Sequence, residues 1–484
     1  MSALRRVAVL MLGVMALAAG TAAVAAADQT GDKPASVGAR IPFDFIAFPY
    51  SVRDLPLESR LFSSNSVLPR VDDGVHDSHG VRMKIVNGKM YNTPREQANY
   101  GLSNLNSYRL TNDAFYLDRA LAQAQRLLDI HDVGGHGWYY PSYPSRYRHG
   151  VPGEPIKAPY YSALPQGRDL LLFSRLAEMT GEERWRNAAA HTFAAYLRPG
   201  PRKGPYVVNV DDAGYYWLQE WPWPNLKPDC TLNGHITSLT GLYEYYEYTR
   251  DRRARALFRG AVTTVRHYLP DFRDPGWISN YCLAHHAQSA NYHRIHVGQL
   301  LTLYELTGAK VFARAADRFQ SDYPPPRVDG GMCIAPGTYA AVRFGVDGRV
   351  VERRAVGVRD TTRWDVTARR RPRKRSGVYL RAASGPFSGY WFAERPGRVY
   401  LRGATATLRY VPARSITIKA GQTCRALTFD EEGTIVDTAS LVAKEPLTLA
   451  VDRQAVVNGR HRVRLSEGAL TGYWLQLRRG VRLH

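Results

Sequence analysis

YYSALPQGRDLLLFSRLAEMTGEERWRNAA, residues 160–189, decides the fold. Apolar residues recur with helical spacing from Gln166 to Met179 and stop at Thr180. A short polar turn follows, and then an aromatic leads into alanine-rich turns, the pattern of one helix folding back into a second. The same form recurs as TNDAFYLDRA at Thr111, TRDRRARALFRGA at Thr249 and TGAKVFARAA at Thr307. Each is preceded by a helix-periodic stretch, Gln97 to Arg109, Asn233 to Tyr248 and Asn291 to Leu306. Four helical hairpins with converging inner helices are expected, an (α/α) toroid over residues 93–325.

Outward from this core the composition changes. Past Asp329 the chain turns to Gly, Thr, Val and Arg in short alternating runs, the period of strands. GTYAAVRFGVDGRVV at Gly337 answers GQTCRALTFDEEGTIV at Gly421, and FSGYWFAERPGRVYL at Phe387 answers LTGYWLQLRRGVRL at Leu470. The expectation is an all-β tandem repeat of about 85 residues, one copy over 333–415 and the next over 416–484. The overall class is α + β, multidomain. The two Tyr-Trp pairs are candidate sugar-stacking platforms, although alternation sends one ring of each pair inward. RRRPRKR, Arg369 to Arg375, reads as a solvated hairpin tip able to meet acidic polymer. Residues 28–92 form a strand-rich entry segment with a hairpin turn at VNGK, expected to lie across the helices or complete a cleft wall.

The first residues, MSALRRVAVLMLGVMALAAGTAAVAAADQT, carry a basic start, an apolar run too short for a confident membrane span and alanine-rich cleavage sites. A secretory signal peptide over 1–27 is expected, with an uncleaved anchor as the alternative. The mature chain is then extracellular or cell-wall associated, with no stable membrane insertion. Its four cysteines, Cys230, Cys282, Cys333 and Cys424, would meet an oxidising space, and a disulfide between Cys230 and Cys282 would staple the candidate site.

A net charge of +22, from 65 Lys and Arg against 43 Asp and Glu, draws polyanions. No zinc finger, helix-turn-helix or ribonucleoprotein signature is present, which turns the expectation from nucleic acid toward acidic polysaccharide. No nucleotide-binding loop or nucleophile elbow is evident, and no cofactor is expected.

Residues 215–300 concentrate the chemistry. YYWLQEWPWPNLKPDCTLNGHITSL places Glu220 between Trp217 and Trp221, where apolar neighbours raise a carboxyl's proton affinity. NYCLAHHAQSANYHRIHVGQL adds Tyr281 and Tyr292, each followed within four residues by histidine. The competing reading is a core lined by aromatics with satisfied polar tips. His285, His286, His293 and His296 have no carboxylate or cysteine at a familiar metal-ligand interval, so no metal is expected.

These blocks, with REQANYGLSNLNSY at Arg95, resemble the C-terminal catalytic domain of D-glucuronyl C5-epimerases, which invert C5 of glucuronate in heparan-type polymers. They follow the family's order over about half the chain. The resemblance implies an isomerase on a helical toroid, with Tyr281, Tyr292 and Glu220 as the proton-transfer residues. It sets Trp221, His285, His293, Arg294, His296, Asn233, Gln166 and Arg168 around the substrate, and Lys227 among the candidate carboxylate clamps. Two departures stand out: Trp221 occupies a family tyrosine position, and Ala284 replaces an arginine. A polysaccharide lyase, a glycoside hydrolase pairing Glu220 with Asp211, Asp212 or Asp229, and a non-catalytic glycan-binding protein are the alternatives.

Overall fold

A computed structural model describes residues 40–323, 331–372, 377–405, 407–430 and 432–484. The leader over 1–27 and residues 373–375 of the basic run lie outside them.

Eight α-helices are present among the described residues: α1 (Pro94–Thr111), α2 (Ala114–Ile130), α3 (Ala163–Thr180), α4 (Glu183–Ala194), α5 (Leu232–Thr249), α6 (Arg252–Phe272), α7 (Ala290–Thr307) and α8 (Lys310–Asp322). They make four hairpins, α1 with α2, α3 with α4, α5 with α6 and α7 with α8, and the first helices pack in succession, α1 on α3, α3 on α5 and α5 on α7.

The repeated threonine explains the hairpins. Each ends its helix and bonds the carbonyl four residues back, Thr111 to Ser107, Thr180 to Leu176, Thr249 to Tyr245 and Thr307 to Leu303, at 2.5–2.8 Å. The same oxygens accept the amides two residues on, those of Asp113, Glu182, Asp251 and Ala309. The intervening residue, Asn112, Gly181, Arg250 or Gly308, takes the left-handed conformation that stops the helix. Asp113 and Asp251 then cap the return helices through the amides of Phe115 and Arg253.

Helices α3 and α5 approach most closely where both carry glycine. A Cβ at Gly167 would stand 2.6 Å from the Ser238 carbonyl oxygen, and one at Gly241 would stand 2.4 Å from that of Gly167. Only hydrogen fits at this crossing.

Past Gly331 the chain is β. A five-stranded antiparallel sheet runs in the order Val350–Val358, Gly337–Phe344, Trp391–Ala393, Tyr379–Ala382, Val366–Arg370. A seven-stranded sheet opens in the corresponding order, Ile435–Ala443, Gln422–Phe429, Trp474–Gln476, Arg460–Leu465, Leu447–Val457, and continues to Leu408–Ile418 and Val481–Leu483. Registers correspond too: Ala341 faces Phe392 in the first, Ala426 faces Leu475 in the second.

Several expectations are corrected. Tyr390 is buried and its hydroxyl donates to Glu352, while the half-buried Tyr473 donates to Asp437 at the corresponding place, so each phenol hydroxyl reaches over the strand between to a carboxylate on the next one. The basic run does lie at the turn of a hairpin, with Arg370 and Arg371 exposed, but its first residue, Arg369, is not solvated. It is 6% exposed and donates to the carbonyls of Ser321 and Asp322 at the end of α8 and to Glu394, where a cation meets the negative end of a helix. Tyr410 and Arg414 reach the side of α8 at Asp317, with donor–acceptor distances of 2.7 and 2.6 Å. Between residues 40 and 92 one hairpin forms, Met83–Val86 with Lys89–Asn92. Outside it there are only a 3-10 turn at Leu57–Ser59 and a single bridge between His76 and Arg82; the amide of Ile46 bonds the Gly214 carbonyl and that of Phe48 bonds Thr263, because Phe43 and Phe45 pack on Tyr216. All four cysteines are free, and the Cys230–Cys282 bond is not formed.

Candidate active site

The site gathers at the N-terminal ends of α5 and α7. Thr231 precedes the first residue of α5, and its hydroxyl donates to Glu220 Oε2 at 2.9 Å. The Tyr281 hydroxyl donates to the same oxygen at 2.8 Å. Gly234 makes room for this, since a Cβ there would lie 2.5 Å from both Glu220 Oε2 and Thr231 Oγ1. That is the physical content of the Leu-Asn-Gly block. Burial raises the proton affinity of Glu220, against the two donated hydrogen bonds that lower it. Burial and then the Glu220 charge hold the Tyr281 phenol strongly protonated. Trp221 Nε1 donates to the Tyr281 oxygen at 3.4 Å and works in the opposite direction.

Above this pair opens a cleft of about 300 Å³ lined by Glu220, Trp221, Tyr292, Tyr160 and three cations, Lys84, Arg95 and Arg146. Arg146 stacks over the Trp221 ring at 4.6 Å. Tyr292 touches Tyr281, ring centroids 4.4 Å apart. No pyranose fits between rings so close, so this pair does not flank a sugar from its two faces. Tyr160 stands against Trp221 with ring centroids 6.2 Å apart and adds a second phenol to the cleft beside Tyr292.

Behind Tyr281 lies a second cluster. His149 packs edge-on to Tyr281 and bonds Asp229 through Nε2. His285 bonds Asp229 through Nδ1 and Glu154 through Nε2, both at 3.1 Å, and Cys282 Sγ is 3.6 Å from that Nδ1. The resemblance had placed His285 on substrate; its nitrogens are engaged here instead.

Other expected substrate contacts move elsewhere. Gln166, 1% exposed, spends its amide on the carbonyls of Trp138 and Thr192. His293 and His296 are buried on α7 against Ser279, and His286 bonds Asn280, so the four histidines do not assemble. Arg294 is exposed and bonds Asn291 on its own helix. Lys227 is exposed, and Arg168 bonds Thr240 and covers Phe62. Asn233 is buried, its Oδ1 without a hydrogen-bond partner among the described residues. Asp211 holds Trp217 and Tyr268, and Asp229 holds two histidines, so neither stands as a second hydrolytic carboxylate beside Glu220. Asp212 is exposed on the turn before Tyr215. Lys84, Arg95 and Arg146 carry no signal of their own in a sequence rich in cations, and only folding selects those that meet the cleft.

Residues 136–321 match the family model described as D-glucuronyl C5-epimerase C-terminus. An uncharacterized protein of Methanocaldococcus jannaschii, MJ1128, is 26% identical over 170 residues, 35% of this chain and 54% of its own length. The chain thus spans about half the length of the curated relative it matches. Among solved structures, a GH76 alpha-mannanase of Bacteroides thetaiotaomicron is similar at TM-score 0.35 and 10% identity, covering 49% of this chain and 58% of that one. An unsaturated glucuronyl hydrolase of Streptococcus agalactiae is similar at TM-score 0.33 and 16% identity, covering 47% and 57%. Both likenesses are distant.

Proposed function

We propose that the protein is a secreted C5-epimerase of a uronate-containing polysaccharide, working on an (α/α) toroid built from the four hairpins, with a tandem β repeat behind it. The observation that carries this reading is the Tyr281–Glu220 pair under a cleft lined by Tyr292, Tyr160 and three cations. Arg95, Arg146 and Lys84 hold the uronate carboxylate and stabilise the charge that moves onto it when C5 loses its proton. The C5–H bond breaks as its proton passes to the Tyr281 oxygen and the phenol's own proton passes to Glu220, whose raised affinity suits it to receive one. The electron pair of the broken bond is held as the enolate of the carboxylate. Tyr160, from the other wall, returns a proton to the opposite face of C5, and the enolate electrons re-form the C–H bond. Tyr292 packs Tyr281 in place and closes that wall.

Contact between Tyr281 and Tyr292 favours a lyase as the second reading. Two phenols on one side suit removal of the C5 proton by one and protonation of the departing C4 oxygen by the other.

Incubation with a panel of uronate polysaccharides in deuterated water tests both. Deuterium at C5 with unchanged chain length supports the epimerase, while ultraviolet-absorbing unsaturated ends replace it with the lyase. New reducing ends without that absorbance, or binding alone, overturn both.

A further inference from the structure

We propose that His149, Asp229, Cys282 and His285 form a closed site for one divalent transition-metal ion, zinc by the chemistry of its donors, that ties together three loops behind Tyr281. One ligand atom from each of the four lies within 4.8 Å of the others. The Asp229–His285 and Cys282–His285 separations of 3.1 and 3.6 Å compare with about 3.3–3.7 Å between donors around a tetrahedral ion with zinc-like bond lengths. Two imidazoles, a thiolate and a carboxylate are a borderline-soft set that suits zinc and excludes magnesium or calcium, which take oxygen.

The surroundings are arranged as metal sites arrange them. His285 engages Glu154 through Nε2, and Arg148 in turn holds Glu154, which leaves Nδ1 facing Asp229 and Cys282. A carboxylate behind a ligating histidine fixes its tautomer and orientation. His149 adopts the left-handed conformation, φ 51°, rare for a residue with a side chain, and this aims its ring at Asp229. The turn carrying Cys282 and His285 is pinned to the Asp229 loop, since the amides of Leu283 and Ala284 both bond the Asp229 carbonyl. Asp229 is wholly buried with both oxygens on histidines. A buried carboxylate is costly without a cation, and a metal ion supplies one. Four protein ligands leave no open position, so the ion is structural. Binding it sends the Cys282 thiol proton to solvent.

The site packs against Tyr281 through His149, so its test reads metal rather than turnover. Full-length protein stripped with chelator and titrated with Zn²⁺ should bind one ion per chain and melt at a higher temperature when loaded. Co²⁺ in its place should give a thiolate-to-cobalt charge-transfer band in the near ultraviolet. Cys282→Ser should abolish that band, Cys230→Ser should keep it, and Glu154→Gln, which spares every ligand, should weaken Zn²⁺ binding about 10–100-fold. Tyr281→Phe should bind the ion as the unaltered protein does, even if it is inactive. The proposal is overturned if stripped protein takes up no Zn²⁺, if cobalt gives no thiolate band, or if His149→Ala and Glu154→Gln both bind as tightly as the parent.

Discussion

The Tyr281 hydroxyl sits 2.8 Å from Glu220 Oε2, and both groups are nearly sealed from solvent. A phenol and a carboxylate so placed share one proton between two sites that each hold it more tightly than they would in water. Burial and the Glu220 charge hold the Tyr281 phenol protonated, and in the proposed reaction it hands a proton on to Glu220.

Removing the hydroxyl breaks that passage. Tyr281→Phe and Glu220→Gln should each lower turnover by about 10²-fold or more with glycan binding nearly intact. Deuterium incorporation rates alongside binding titrations measure it, and unchanged rates in both variants would refute the relay.

Tyr160→Phe should cost a similar factor of about 10² if Tyr160 returns the proton. Tyr292→Phe should cost much less, on the order of tenfold or below, because the ring contact with Tyr281 survives. A reversed ranking under the same assay would move the second phenol to Tyr292 and with it favour the lyase.

Gly234→Ala tests the room left for Glu220. The added Cβ would fall 2.5 Å from the carboxylate oxygen, so Glu220 must move, and displacement of about 1 Å at a catalytic group costs about 10²-fold. The loss should appear in kcat, with a melting temperature lowered by only a few degrees.

Stability should fall in acid through His235. Its Nδ1 accepts the Leu218 amide, its Nε2 faces the Ala261 carbonyl, and burial pushes its pKa down to about 4. The unfolded chain binds a proton near pH 6.5 that the folded chain refuses until about pH 4. The stabilisation from this group is complete above pH 6.5 and is lost as pH falls toward 4, by about 3 kcal/mol at most. Melting curves from pH 7 to 4 should show this slope, and His235→Gln should reduce it, the remainder coming from His293, His296 and His461, which burial also holds neutral.

Arg414→Ala should destabilise the protein by about 3–5 kcal/mol, because it leaves Asp317 facing Tyr410 alone beside a buried vacancy. Denaturant unfolding gives the value, and a change below about 1 kcal/mol would show that the β region does not lean on α8 through this pair.

The hairpins were legible in the chain because their signals are local. A threonine bonding a carbonyl four residues back and an amide two residues ahead needs nothing from the rest of the molecule, and four copies mark four turns. Glu220, Tyr281 and Tyr292 were legible through motifs, and their meeting follows from helix starts on one end of the fold.

What tertiary structure alone decided is distance across the sequence. His149 meets Asp229 across 80 residues and Asp229 meets His285 across 56, a cluster with no interval to recognise. Arg146 and Arg95 look like any other arginine in a chain with net charge +22 until packing brings them to one cleft. Arg369 reads as surface in a basic run, yet the end of α8 offers it carbonyls and Glu394 a charge, and those partners make its burial tolerable. Local hydrogen bonds can be read from neighbours in the chain, whereas charge pairs and ligand sets belong to the packing, which desolvates some groups and leaves their chemical equals in water.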